Sequence, residues 1–533
     1  MLRGAAMALP IALFALAWSS CQSGKVPPPP VDARAAARGA APSLTHGIVA
    51  GDVTPDGAIA WARASGPGWL WFEVGGASTQ AATVAATAVG PFALDAERDF
   101  TAQAPIRLAT RGRTIVRARL AGPGPRPSRV EEGMLAAATA SVAAAPAAAD
   151  ARPLRIVWAG DLGGQRYCRR VGVGYAIFDA ILARAPDLFV MNGDAIYADD
   201  PCPADGPVPG WRNLEGGFPD VREVDWSDRA RVREVFAAHW RYHRADEALI
   251  RLLSSTPVVA QWDDHEVVND FGGGWGWLNG ATRERAGYPT VVDEGRAALF
   301  AWWPIAPGPR EEPRRLYRRF RWGADVELFI VDARSYRSRN DDPDHDGKTM
   351  LGAAQRAWLI DALASSTAAW KLVSVDVPIS VPTGARAERF GRDGWANGTA
   401  ADFSSSTGFE RELATILGAL EARRVSGLVF LATDVHHAEL IRYEPDLDGD
   451  GRPFVFHELL SGPLSAVRGQ PKPLDPTFRP RSLWAEGDLF NFGELEVARV
   501  DGRPRLTVTI RDERGAERPG SRLTLTLTLD GNR

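Results

Sequence analysis

Carboxylates and imidazoles gather at four points of this chain where an apolar run should end: AGDLG at 159–163, NGDAIYAD at 192–199, WDDHE at 262–266 and TDVHH at 433–437. The runs LRIVW, DLFVM, VVAQW and LVFLA lead into them. Four strands would thus deliver their acids to one edge, the place where open α/β sheets hold ligands. A strand ending in Gly-Asp suits a cation because glycine permits a tight turn and aspartate projects a short, rigid carboxylate. Asp161 and Asp194 are thirty-three residues apart, enough for one helical crossover between parallel strands. They could share a metal pair, with Asp194 bridging. Tyr197 follows within reach of the same ion, and its phenolate is a hard ligand suited to Fe(III); the competing reading is a buried turn tyrosine with its hydroxyl satisfied. Asp199 adds an oxygen near the mouth.

In WDDHE, Asp263, Asp264, His265 and Glu266 stand directly behind the apolar run TPVVAQW. Holding them there is costly without an ion or a hydrogen-bonded network. His265 reads as proton donor or charge stabiliser, and Asn269 as an amide oxygen ligand. In TDVHH, Asp434 and His436 would face the same way if the segment is extended, and His437 would face away as a structural histidine. Three of the eight histidines lie in these two turns. The chemistry this set could do is that of a dinuclear metal hydrolase, in which a metal-activated hydroxide attacks.

The elements that must position these residues fall into two parts, as a length of 533 suggests. Residues 44–137 hold short alternating runs such as GAIAWARA, WLWFEVGG and TIVRARLAG between Gly and Pro, which predicts a small β-sandwich. The Ala-rich stretch 138–153, with Pro146 and no apolar stripe, reads as a linker. From 154 to 533, strands alternate with helical segments such as GYAIFDAILARAP and GFERELATILGALEARR, the pattern of α/β layering. Residues 1–21 have the order of an export signal, with Arg3, an apolar stretch too short to favour a membrane-spanning helix, and small residues before Cys21. Cys21 resembles a lipoprotein cleavage site, and 22–43 a flexible tether. The expected location is the periplasm or cell envelope, with membrane contact only through a lipid on Cys21. A net charge of -4 argues against general affinity for nucleic acid or anionic lipid. Cys168 and Cys202 both follow site strands; an oxidising compartment would permit a disulfide between them, and free or metal-binding thiols are the alternative.

Taken in order, HGIVAGDVTPDGAIAWARA, NGDAIYAD, WDDHEVVND, LFIVDARSYR, LGAAQRAWL, WKLVSVDVP and LATDVHHAEL resemble the PhoD-like alkaline phosphatase and phosphodiesterase family of the calcineurin-like metallophosphoesterases. GDAIYAD is also similar to the tyrosine-bearing motif of purple acid phosphatases. The resemblance implies an α/β, four-layer metallophosphatase sandwich with an N-terminal all-β sandwich domain. It implies phosphate ester substrates and a metal centre of Fe(3+) with Ca(2+), or with Mn(2+) or Mg(2+). By motif position it carries metal binding to Asp194, Tyr197, Asp264, Asp434 and His436, a second-sphere or calcium role to Asp199, and transition-state stabilisation to His265. Two positions depart from the family pattern. Asp161 stands where a cysteine is common, which hardens the ligand set, and Thr433 stands where glycine is usual. The reading is an exported phosphoric ester hydrolase. The alternatives are a diesterase acting on lipid headgroups, or a weakly active surface lipoprotein that keeps the fold.

Weaker signals remain. Asp342, Asp344 and Asp346 in DDPDHDG, and Asp446, Asp448 and Asp450 in DLDGDG, begin like calcium loops but meet Ala353 and His457 where a closing Glu belongs. Arg334 reads as a ligand for substrate phosphate or as the partner of Asp332 in a buried salt bridge. Trp275 and Trp277, in a glycine-rich loop after WDDHE, read as a wall for the substrate's leaving group or as ordinary packing.

Overall fold

Alternation of apolar and polar side chains near the N-terminus becomes antiparallel sheet, most plainly in TIVRARLA, whose every second side chain is buried. The computed structural model describes residues 42–76, 87–110, 112–130, 136–272, 275–276, 286–383 and 393–527; Cys21, the export segment and Trp277 lie outside them. Strands β1 (Leu44–Gly51), β2 (Gly57–Ala64), β3 (Gly68–Gly76), β4 (Thr87–Leu94), β5 (Thr101–Arg107), β6 (Arg113–Ala121) and β7 (Ala136–Ala143) come first. Four of them form a sheet in the order β4-β3-β6-β7. The linker expected over 138–153 is therefore corrected over its first part. Residues 138–143 belong to β7, where Ala140 and Val142 are buried, and alanine is too small to show that alternation as an apolar stripe.

The chain continues through β8 (Leu154–Ala159), α1 (Ile177–Ala183), β9 (Leu188–Asn192), α2 (Arg229–Arg244), α3 (Glu247–Leu253), β10 (Val258–Gln261), the hairpin β11 (Phe271–Gly272) and β12 (Trp275–Gly276), and α4 (Tyr288–Trp302). Then come β13 (Arg318–Trp322), β14 (Val326–Ile330), α5 (Gly352–Ser365), β15 (Trp370–Ser374), α6 (Glu410–Ala422), β16 (Leu428–Ala432), β17 (Ala438–Tyr443), β18 (Phe456–Leu460) and β19 (Pro480–Glu486). Strands β20 (Asn491–Val500), β21 (Arg503–Asp512) and β22 (Leu523–Thr526) close the chain. The first large sheet has the order β22-β21-β20-β8-β9-β10-β1-β2-β5, and the second β13-β14-β15-β16-β18-β17-β19. Strands β8, β9 and β10 run parallel, as do β14, β15, β16 and β18. Three strands of the N-terminal β segment thus extend the first large sheet, with β1 beside β10.

The two large sheets meet through one apolar layer in which Ile156, Val190 and Val259 of the first share a core with Ile330, Leu372 and Leu431 of the second. On the outer face of the first sheet, Phe189 and Met191 pack with Phe178, Phe236, Leu249 and Leu299 from α1 to α4. On that of the second, Val373 and Phe430 pack with Leu359 of α5 and Leu417 of α6. The strands leading into the acid turns are buried on both faces, which explains their continuous apolar runs. Side-by-side pairing can leave room for large rings: Trp158 of β8 lies over Gly493 of β20, where any side chain would collide with the indole. The fold class is α/β. No described helix is long and apolar enough to cross a membrane.

Candidate metal centre

The turns after β8, β9 and β10 come from one sheet and the turn after β16 from the other, and the structure brings their side chains together. Ligand atoms of Asp161, Asp194 and His436 lie within 4.8 Å of one another; so do those of Asp194, Asp264 and His265, and those of Asp263, Asp264 and Asp434. Asp194 is common to the first two groups and Asp264 to the last two, which is the sharing that closely spaced cations require. Asp161, Asp194, Asp434 and His436 all take left-handed backbone, with φ of 60°, 49°, 71° and 58°. Each such residue costs roughly 1 kcal/mol or more. TDVHH is therefore no extended continuation of its strand: His436 turns inward because the backbone reverses hand.

The carboxylates here are buried without sufficient partners. Asp161 Oδ2, Asp263 Oδ2, Asp264 Oδ1 and Asp434 Oδ2 are inaccessible and meet no hydrogen-bond donor, an arrangement that is costly unless a cation completes it. Burial, then the neighbouring Asp263, pushes Asp161 well above the usual carboxylate range, and burial, then Asp264, does the same to Asp194. Burial lowers His436 to about 4 against the pull of the Val467 carbonyl. That carbonyl accepts Nδ1–H at 2.7 Å, which leaves the Nε2 lone pair facing the Tyr197 hydroxyl at 3.0 Å and Asp161 at 3.8 Å. A neutral imidazole fixed by a carbonyl at its other nitrogen is the form that binds metal. The donors are oxygens and imidazole, a set for hard or borderline ions, and the residues present fit a metal pair.

Tyr197 stacks on His265 with ring centroids 4.0 Å apart, and Gly164 leaves the space its ring fills. Burial, then Asp194, raises its pKa well above the usual phenol value. At His265 burial opposes a charge, but Asp199 and Asp264 outweigh it and raise its pKa to about 10. Of the second-sphere and calcium roles expected for Asp199, its contacts are those of the former: its Oδ1 meets His265 Nδ1 at 2.6 Å and its Oδ2 accepts the Asn269 amide at 2.9 Å. Asn269 joins the site through that backbone amide. His437 turns away to Glu439, 3.1 Å from its Nε2.

The reading of Arg334 is corrected. It is fully buried and cannot meet substrate; its guanidinium holds Asp263 at 2.8 Å, Asp393 at 2.7 Å and Asp376 at 3.3 Å, while Asp332 receives only its backbone amide, at 3.2 Å. The cation sits behind the cluster and partly balances it. The backbone of Trp275 pairs with Gly272. Cys168 and Cys202 form a disulfide between the loops that follow Asp161 and Asp194. Asp446, Asp448 and Asp450 also approach within 4.8 Å, whereas among the described residues Asp342, Asp344 and Asp346 form no such group.

Sequence reasoning passed over Asp270 and Asp393 and gave Glu266 no role of its own. Asp270 and Asp393 form a further group with Asp264. Glu266 accepts backbone amides from Asp194 at 3.1 Å, Ala195 at 2.6 Å and Asp263 at 2.8 Å, tying two acid turns together. Asp270 and Glu266 stand in WDDHEVVND and were legible as acids there; Asp393 arrives through tertiary contact alone.

The family sequence model described as PhoD-like phosphatase matches residues 157–503, a span that holds every turn of the centre. The chain belongs to that family. Alkaline phosphatase D of Bacillus subtilis (strain 168) is 24% identical over 238 residues, 41% of this chain and 37% of the relative's length. A solved structure of PhoD superposes with a TM-score of 0.69 at 15% identity, covering 91% of this chain and 89% of that one, and so shares the PhoD-like fold.

Proposed function

We propose that this chain is an exported, metal-dependent phosphoric ester hydrolase, with its centre held by Asp161, Asp194, Tyr197, Asp264, Asp434 and His436. The observation that carries the reading is one cluster of buried acids, in which Asp161, Asp263, Asp264 and Asp434 each keep an oxygen without a donor, joined by the Nε2 side of a neutral His436. Bound there, the ions supply Lewis acidity toward phosphoryl oxygens and lower the pKa of water. The chain's own residues do the rest. Glu266 and Arg334 hold the acid turns in register. Asp199 orients His265, whose protonated imidazole offers a proton at Nε2 to the charge that develops on phosphorus oxygens or on the leaving oxygen.

The hardness of the set favours Fe(3+) with Ca(2+), with Mn(2+) or Mg(2+) next. The scaffold is read as the four-layer sandwich with an N-terminal all-β domain, and Cys21 as a lipid anchor at the cell envelope. Elemental analysis of protein purified without chelator, with paired assays on a mono- and a bis-nitrophenyl phosphate, tests the reading. Near-stoichiometric metal and turnover of one ester class are expected. Full activity in metal-free protein would overturn it.

A further inference from the structure

The metal centre is braced by a segment that supplies none of its ligands. Residues 461–469, SGPLSAVRG, leave β18 in the second large sheet and run along the loop that follows β8 in the first. Ser461 starts the crossing: its amide donates to the Ala432 carbonyl at 3.2 Å and its hydroxyl to the Trp158 carbonyl at 3.0 Å. Leu464 N then donates to Gly160 O at 2.9 Å, Ser465 N to Asp161 O at 3.0 Å and Gly164 N to Ser465 O at 3.1 Å. The far end reaches His436, where Val467 O accepts Nδ1–H at 2.7 Å and Gly469 N donates to the histidine carbonyl at 2.7 Å. One strap thus touches Asp161 from one sheet and His436 from the other.

The near end of the strap is held firmly. Gly462 has φ of 112°, and a Cβ there would collide with Asp161 Oδ2, the oxygen that meets no donor. Its amide is turned from that oxygen by the buried Asn491 of β20, whose Oδ1 accepts it at 3.0 Å, while Asn491 Nδ2 donates to the Gly462 carbonyl at 2.6 Å. The far end has much less support. Between Ser465 and Gly469, among the described residues, one hydrogen bond is made by a strap amide: Val467 N donates to the side-chain Oε1 of Gln165 at 3.1 Å. Gln165 and Arg166 both take left-handed backbone, with φ of 47° and 68°. Two such residues in a row are costly, and strain of that kind gathers where a side chain must be aimed.

We propose that Gln165 is a positioning residue of the ion pocket formed by Asp161, Asp194 and His436, acting through Val467. By holding the Val467 amide, Gln165 fixes the residue whose carbonyl selects the Nδ1–H tautomer of His436 and leaves the Nε2 lone pair for a cation. The link to metal binding rests on the reading of that pocket as an ion site. The link to the tautomer does not.

The test uses the full chain with Gln165→Met, which removes the acceptor at similar length, and Gln165→Glu, which keeps one. Ring nitrogen chemical shifts of His436 are read in metal-free protein, and Mn(2+) affinity is read by titration. In the parent, a protonated Nδ1 and a bare Nε2 are expected. Gln165→Met should give a mixture of tautomers and bind Mn(2+) about ten- to hundredfold more weakly, with the urea midpoint of the metal-free chain unchanged; Gln165→Glu should restore both readouts. Parent-like shifts and affinity in Gln165→Met would overturn the proposal. So would equal losses in both variants with a lowered urea midpoint, which would leave Gln165 a purely structural part. A parent chain that takes up no Mn(2+) would overturn the hydrolase reading, and the ring shifts would still decide whether Gln165 sets His436.

Discussion

Asp446, Asp448 and Asp450 bring three carboxylates within ion-binding distance of one another, as Asp263, Asp264 and Asp434 do, but the two groups differ in what surrounds them. The first stands in a largely exposed loop whose own backbone serves it: the amides of Gly449 and Gly451 donate to Asp446, that of Asp450 to Asp448 and that of Arg452 to Asp450, at 2.7–3.2 Å. The second is buried, and one oxygen of each of its members has no donor. Water and the local turn satisfy the exposed group with or without an ion. Among the described residues no donor reaches the second oxygen of any acid in the buried one, although Arg334 holds Asp263 from behind. A metal site in this chain is thus marked by uncompensated burial rather than by the number of acids.

The most direct way to break that contrast is a matched pair of substitutions. Asp194→Asn, at the residue shared between two ligand groups, should lose bound metal by elemental analysis and reduce kcat/KM on a nitrophenyl phosphate by about a thousandfold. Asp448→Asn should change neither. Equal effects would mean that the exposed loop takes part in the centre.

The two adjacent histidines repeat the comparison at one turn. His436→Ala should cost more metal affinity than the roughly ten- to hundredfold that outer partners contribute. His437→Ala, which removes contacts with Glu439 and with the Val435 carbonyl, should stay within about tenfold. The reverse order in a metal titration would show that the wrong imidazole has been placed inside.

Glu266 sharpens the contrast from the other side, because it is a buried acid whose demands the protein does meet. It accepts three backbone amides from the two turns it joins. Glu266→Ala would strand those donors, at about 1–3 kcal/mol each before relaxation. We expect a loss of about 3 kcal/mol in urea unfolding, together with weaker metal binding. Unchanged stability would mean that water reaches the amides and that Glu266 does not set the turns.

Much of this centre was legible because it is local. Apolar runs ending in Gly-Asp or Asp-Asp-His mark strand ends that carry acids, and β8, β9, β10 and β16 lie under those runs. What was not legible depends on contacts between distant segments. Arg334 read as a phosphate ligand or as the partner of Asp332 in a buried salt bridge because nothing near it in sequence reveals Asp263, Asp376 and Asp393 closing around it. The inward turn of His436 was anticipated from strand alternation, whereas the structure achieves it by left-handed backbone at Asp434 and His436. The joining of β1, β2 and β5 to the first large sheet rests on a single register pair, Gly51 with Val258, a pairing for which no sequence pattern exists.

The smallest effect tests whether burial alone, away from any metal, reproduces the rule. His46 is buried; its Nε2–H donates to the Arg241 carbonyl at 3.0 Å, and its Nδ1 meets the Thr45 hydroxyl at 2.6 Å. Burial, then Arg63, lowers its pKa to about 3 from 6.5. Below pH 6.5 the unfolded chain therefore takes up a proton that the folded chain refuses until about pH 3, so the stabilisation is full above 6.5 and falls as the pH drops. Between pH 7 and 5 the loss is about 2 kcal/mol. His46→Gln should flatten the dependence of unfolding free energy on pH by roughly one proton, about 1.4 kcal/mol per pH unit near pH 5. Metal release on acidification contributes equally to parent and variant, so the difference in slope reads His46 alone. An unchanged slope in His46→Gln would show that water reaches the imidazole in the folded chain and that burial does not govern charge at this position.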